Sequence, residues 1–140
     1  MLLPFKKQDK EQSMEFELFT YAEKGMLEVQ VYGVLEVEYF LEMINVVISE
    51  IESNGIKKLV YYNESADSSK IKTSELKRIV RATRRLNDVI PEGAVAAIIT
   101  NKLSYGLIRM WYAFSGPDLT YDFQLFNNHR AGLTWIENHD

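Results

Sequence analysis

The hydrophobic period along the chain changes several times, and each change marks a new element. EFELFTY, residues 15–21, alternates apolar and polar, with Phe16, Leu18 and Thr20 on one face. MLEVQVYG, residues 26–33, alternates more cleanly: Leu27, Val29 and Val31 face one way, Glu28, Gln30 and Tyr32 the other. Ala22-Glu23-Lys24-Gly25 lies between them as a turn, with Gly25 supplying the positive φ, so the pattern predicts an antiparallel hairpin. From Glu36 the period lengthens. Val37, Phe40, Leu41, Ile44, Val47, Ile48 and Ile51 recur every three or four residues, the mark of an amphipathic helix that Asn54-Gly55 closes.

KKLVYYN, residues 57–63, reads as the third strand. Leu76, Ile79, Val80, Thr83, Leu86 and Ile90 form the apolar face of a second helix that Pro91 ends. GAVAAIIT, residues 93–100, shows no alternation and carries small or β-branched residues, as expected of a strand covered on both faces. A third helix starts at Asn101 or Lys102 and runs through Phe114 to the stop signal Ser115-Gly116-Pro117. TYDFQLF, residues 120–126, is the last strand, and RAGLTWIEN, residues 130–138, a short C-terminal helix. The prediction is one α/β domain over residues 14–140, preceded by a flexible N-terminal arm over 1–13. Its sheet is mixed, mostly parallel and five-stranded, with an N-terminal antiparallel hairpin and four helices.

The third helix is apolar on more than one side. If Leu103, Leu107, Met110 and Phe114 face the sheet, Tyr105, Ile108, Trp111 and Tyr112 form a second apolar strip. That strip is a candidate dimer interface or the wall of a ligand pocket. Coverage by the C-terminal helix, through Trp135 and Ile136, is the plainer reading.

Charge changes the picture at one place. The net charge of −4 argues against nucleic acid as a partner. Yet seven of the sixteen Lys and Arg residues lie between Lys70 and Arg85, opposed by Glu75 alone. Lys77, Arg78, Arg81, Arg84 and Arg85 sit on the polar side of the second helix. They are either solvated surface or a docking face for an acidic protein, with anionic headgroups a weaker fit. With no cysteine there is no disulfide framework and no thiolate chemistry. The opening MLLPFKKQDKEQS places its charges after a very short apolar stretch, the wrong order for a secretory signal, so a cytoplasmic location is expected.

Searches for catalytic chemistry find little. No GxxxxGK[ST], GxGxxG or GxSxG occurs. The two histidines, His129 and His139, have no ligand spacing, and His129 reads as a turn residue. Glu36, Glu38, Glu42 and Glu50 fit a solvated helix face. No cofactor, metal or catalytic residue is expected.

The order of elements resembles the SpoIIAA-like, or STAS, family of small α/β domains, grouped with CRAL/TRIO-type folds. The resemblance rests on VQVYGVLEVEYFLEMINVVISEI, KKLVYYN, AVAAIIT and DFQLFNNHRAGLTWI. It implies a non-catalytic regulatory or protein-binding module of the bacterial cytoplasm. It also implies that the loop after the third strand, where family members carry Asp-Ser-Ser-Gly with a phosphorylated serine, is the switch. Here that loop reads Asp67-Ser68-Ser69-Lys70, so Ser68 and Ser69 match and the glycine does not. The competing account of these hydroxyls is a connector in which Thr73 or Ser74 caps the second helix. Two other functions stay open: a carrier of a small apolar or lipid-like ligand, lined by Tyr105, Trp111, Tyr112 and Phe123, and an enzyme of unrecognised type.

Overall fold

A computed structural model describes residues 13–140. The expected arm falls outside the described residues except for Ser13, which bridges to Val34. β1 (Glu15–Tyr21) and β2 (Met26–Tyr32) form the hairpin, with Gly25 at φ 60° in the turn between them. Then follow α1 (Val37–Asn54), β3 (Lys58–Asn63), α2 (Thr73–Thr83), the one-turn α3 (Leu86–Val89), β4 (Ala94–Ile99), α4 (Lys102–Ser115), β5 (Asp122–Phe126) and α5 (His129–Glu137). The strands lie side by side in chain order, β1 antiparallel to β2 and every other neighbour parallel. The sheet, its hairpin and its four main helices are those the periodicity predicts.

Chain order across the sheet has a consequence. Three successive right-handed crossovers that march in one direction must leave their helices on one face. α1, α2 and α4 accordingly pack over Val29, Leu59 and Val95 in the main core, while α5 returns across the opposite face against Val60, Ala96 and Ile98. Every residue of β4 is buried, which accounts for its lack of alternation. Gly132 lets α5 come close, since a Cβ there would lie 2.5 Å from Ile98 Cδ1.

Three local expectations change. The second helix is broken, because Arg84 and Arg85 donate to Arg81 and Ala82 in a tightened turn before α3 begins. Neither Thr73 nor Ser74 caps α2. The N-cap is Lys72, whose backbone N–H donates to Glu75 Oε1 at 2.9 Å, so Glu75 reaches back to satisfy the helix start. The third correction concerns α4, which is turned the other way. Leu103, Met110 and Phe114 are exposed, while Leu107 and Ile108 pack on the core and Trp111 is buried within it. The orientation is set by polar groups as much as apolar ones. Asn101 Oδ1 accepts from Ser104 N–H at the helix start, Ser104 is buried, and Trp111 Nε1 donates to Thr83 Oγ1 at 2.9 Å.

Candidate functional site

β3 ends in Asn63, which faces the helical side of the sheet after Leu59 and Tyr61. Its Oδ1 accepts from the Ala66 N–H at 2.9 Å and from Asn101 Nδ2 at 3.4 Å, drawing the following loop back over the strand ends. Asp67 then pairs with the chain leaving β2. Its N–H donates to Gly33 O and its carbonyl accepts from Leu35 N–H, both at 2.8 Å. Gly33 adopts φ 80°, the left-handed turn that brings this chain alongside.

Beyond Asp67 the two serines part. Ser68 is buried, with its Oγ 2.7 Å from the Oγ of buried Ser104 on α4. Ser69 is exposed, and its N–H donates to Asp67 Oδ1 at 2.8 Å in an Asx turn. The hydrogen bonds from Ser69 hold the Asp67 carboxyl below the ordinary aspartate range, with Lys70 adding a smaller pull the same way.

α2 follows, and its five expected basic residues are all exposed. Arg78 pairs with Glu38 of α1 at 2.8 Å, and Arg85 donates to Asn45 Oδ1. Lys77, Arg81 and Arg84 make no ion pair among the described residues. Ser69, Lys70 and Lys72, also exposed, lead into this face from the loop.

Beneath the loop, between the sheet and the three helices, lies an apolar pocket of about 120 Å³. Ala97 of β4 opens its floor, since Val95 and Ile99 on the same face are larger. Ser68 and Ser104 line it near Asn63; Tyr121 lines it at the opposite end of the sheet. Among the described residues no Asp, Glu, Lys, Arg or His touches it. Of the four aromatic residues expected to line a pocket, Trp111 and Phe123 do so. Tyr105 does not, and Tyr112 lies outside, stacked on Phe123 with ring centroids 5.0 Å apart. Ile108 of the expected strip also lines the pocket. Burial holds the Tyr61 and Tyr121 hydroxyls well above the ordinary tyrosine range, and the Asn63 amide beside Tyr61 opposes this weakly. Both phenols are neutral at physiological pH.

The aromatic residues of α4 and β5 point to one wall of the pocket, and a further signal marks its polar end. In the sequence LVYYN, the polar Asn63 shares a strand face with Leu59 and Tyr61, where the core pattern calls for another apolar residue.

On the other face, His129 opens α5. Its Nε2 lies 3.1 Å from Oε2 of buried Glu28, and its ring stacks on Tyr62 at 4.3 Å. Among the described residues no group of three or more His, Asp or Glu side chains is arranged to hold a metal. No described helix is long and apolar enough to cross a membrane.

The fold has close counterparts among solved structures. An anti-sigma factor antagonist from Mycobacterium paratuberculosis superposes with a TM-score of 0.58 at 16% identity, over 90% of this chain and 96% of that one. An uncharacterized protein of the DUF3478 family from Shewanella loihica PV-4, described as having a SpoIIAA-like fold, gives 0.56 at 17% identity, over 88% and 93%. No family model matches the chain, and no curated sequence does. At these identities the likeness is one of architecture: the chain has a SpoIIAA-like fold.

Proposed function

We propose that this chain is a non-catalytic regulatory module that binds an acidic protein partner through the β3–α2 loop and the outer face of α2. The observation that carries the reading is the uncompensated charge of that surface. Lys77, Arg81 and Arg84 are exposed, as are Ser69 and Lys70 of the preceding loop, and no acidic side chain pairs with them among the described residues. Exposed basic groups of this kind attract a complementary surface from a distance and set its orientation, with an effect that salt screens. The fold supports the reading, since its counterparts include an anti-sigma factor antagonist. Within the loop, Ser69 is the hydroxyl available to a modifying partner. A phosphate there would sit beside Lys70 and change the sign of the surface locally. The module acts in the cytoplasm, without nucleic acid or cofactor.

The test is a pull-down from native extract with the wild-type chain and with Lys77→Glu, Arg81→Glu and Arg84→Glu combined. A partner held at low salt, released by moderate salt and absent with the variant supports this surface. Equal recovery with both proteins removes it from the account.

A second surface supports self-association. Leu103, Met110 and Phe114 expose an apolar stripe along one side of α4, 41–57% accessible residue by residue. Apolar and aromatic side chains grouped this way favour the centre of an interface. Sedimentation at micromolar concentration tests it: Met110→Lys with Phe114→Lys converts a dimer to a monomer, and a wild-type monomer ends the idea.

A further inference from the structure

We infer that the pocket on the helical face of the sheet binds a small, uncharged, mainly apolar molecule whose oxygen accepts a hydrogen bond from Asn63. Three observations converge on that chemistry. The first is size: an apolar cavity of 150 Å³ takes up benzene, so about 120 Å³ caps the ligand at roughly six or seven heavy atoms. A long acyl chain does not fit that space.

The second is charge. The lining is aliphatic and aromatic with a few neutral hydroxyls, so a carboxylate or phosphate would enter without a counter-ion, a cost that excludes it. The third is an orphan donor. Asn63 is 1% exposed, and its Nδ2 makes no hydrogen bond among the described residues, the Tyr61 hydroxyl beside it interacting only weakly. Its orientation is not free, because Oδ1 is committed to the Ala66 N–H and to Asn101; exchanging the two ends of the amide would set Nδ2 against the Ala66 N–H. An unmet buried donor costs free energy in the empty protein, and a ligand oxygen offsets that cost. Ser68 and Ser104 do not compete for the same role, since each already engages the other at 2.7 Å. The apolar body of the ligand then lies over Ala97, where the floor is lowest.

The probes are phenol, benzene and benzoate, titrated into the chain with ¹³C-labelled methyl groups. Phenol is expected to shift the Ala97 and Ile99 methyls saturably and to bind roughly three- to tenfold tighter than benzene, the worth of one neutral hydrogen bond. Benzoate is expected to leave those methyls unmoved. Asn63→Asp, titrated at a pH where its carboxyl is ionised, keeps the Oδ1 contacts and removes the donor, so the preference for phenol should vanish. Tyr121→Phe, at the other end of the pocket, should leave it intact. Ala97→Val should weaken both neutral probes by occupying the floor. No saturable shift of the internal methyls overturns the inference, as do shifts confined to surface Leu103 and Met110. Benzoate binding as tight as phenol overturns it too, and so does a phenol preference that survives Asn63→Asp.

Discussion

The hydroxyls of Ser68 and Ser104 meet 2.7 Å apart inside the protein, tying the loop after β3 to the first turn of α4. The two residues are 36 positions apart in the chain, and each is buried. One bond thus fixes the loop that carries Ser69, the helix that carries the exposed apolar stripe, and one wall of the pocket. Removing Ser68 leaves the Ser104 hydroxyl only its long bond to the Ala66 carbonyl at 3.4 Å, so Ser68→Ala should cost about 1 kcal/mol of unfolding free energy. Ser68→Ala with Ser104→Ala should cost less than the sum of the single changes, because neither hydroxyl is then left alone. Denaturant unfolding of the three variants measures this, and strict additivity would show that the contact contributes nothing.

Tyr121 makes the opposite prediction. Its hydroxyl is buried and without a partner among the described residues, so Tyr121→Phe removes a desolvated polar group and keeps the ring. Stability should be unchanged or raised by up to about 1–3 kcal/mol. A loss of stability in thermal or denaturant unfolding would mean that the hydroxyl has a partner in solution.

Gly132 sets how closely α5 lies on the sheet. A methyl group there would meet Ile98 Cδ1 and Cγ1, both at 2.5 Å, within a strand that is buried along its whole length. Gly132→Ala should therefore cost about 1–3 kcal/mol, as overpacking does. Combined with Ile98→Ala it should cost less than the sum of the two single changes, because the added methyl fills space that Ile98 vacates, as denaturant unfolding measures. If Gly132→Ala alone is neutral, α5 is free to shift outward.

These sites also show what the sequence can and cannot convey. The hairpin, the crossovers and the buried β4 follow from periods that one residue type can announce, such as the run of small and β-branched residues from Ala94 to Ile99. The rotation of α4 does not, because its apolar residues spread around most of the helix and several faces satisfy the same pattern. Ser104 and Trp111 decide it through bonds to Ser68 and Thr83, residues on other elements whose nearness no local spacing reveals. The α2 cap was hidden for a related reason: Thr73 and Ser74 are suitable residues one and two places too late. The pocket is a gap between side chains, so the sequence points to Ile108, Trp111 and Phe123 of its wall but not to the rest of its lining.

The Asx turn at Asp67 gives a pH dependence. Its carboxyl is held below the ordinary aspartate value of 3.8 by the hydrogen bonds from Ser69, so the folded form prefers the charged group. The turn's contribution to stability is fully present above that value and is lost as pH falls below it, through the lowered folded value. The Ser69 amide resonance should hold its position down to about pH 4 and move at lower pH. In Asp67→Asn, whose side chain does not titrate, that low-pH movement should disappear. An amide that titrates with an ordinary midpoint would show that the turn is open in solution.

The central claim, that the loop and α2 present a surface for an acidic protein partner, is tested most directly by cross-linking inside the cell. A photoreactive amino acid at position 81 would sample the basic face, and one at position 17, on exposed β1, would sample a surface remote from it. The account predicts a single acid-rich protein cross-linked from position 81, not from 17, and lost when Lys77 and Arg84 are both changed to glutamate. The same cross-links from both positions, or none from position 81, would contradict it.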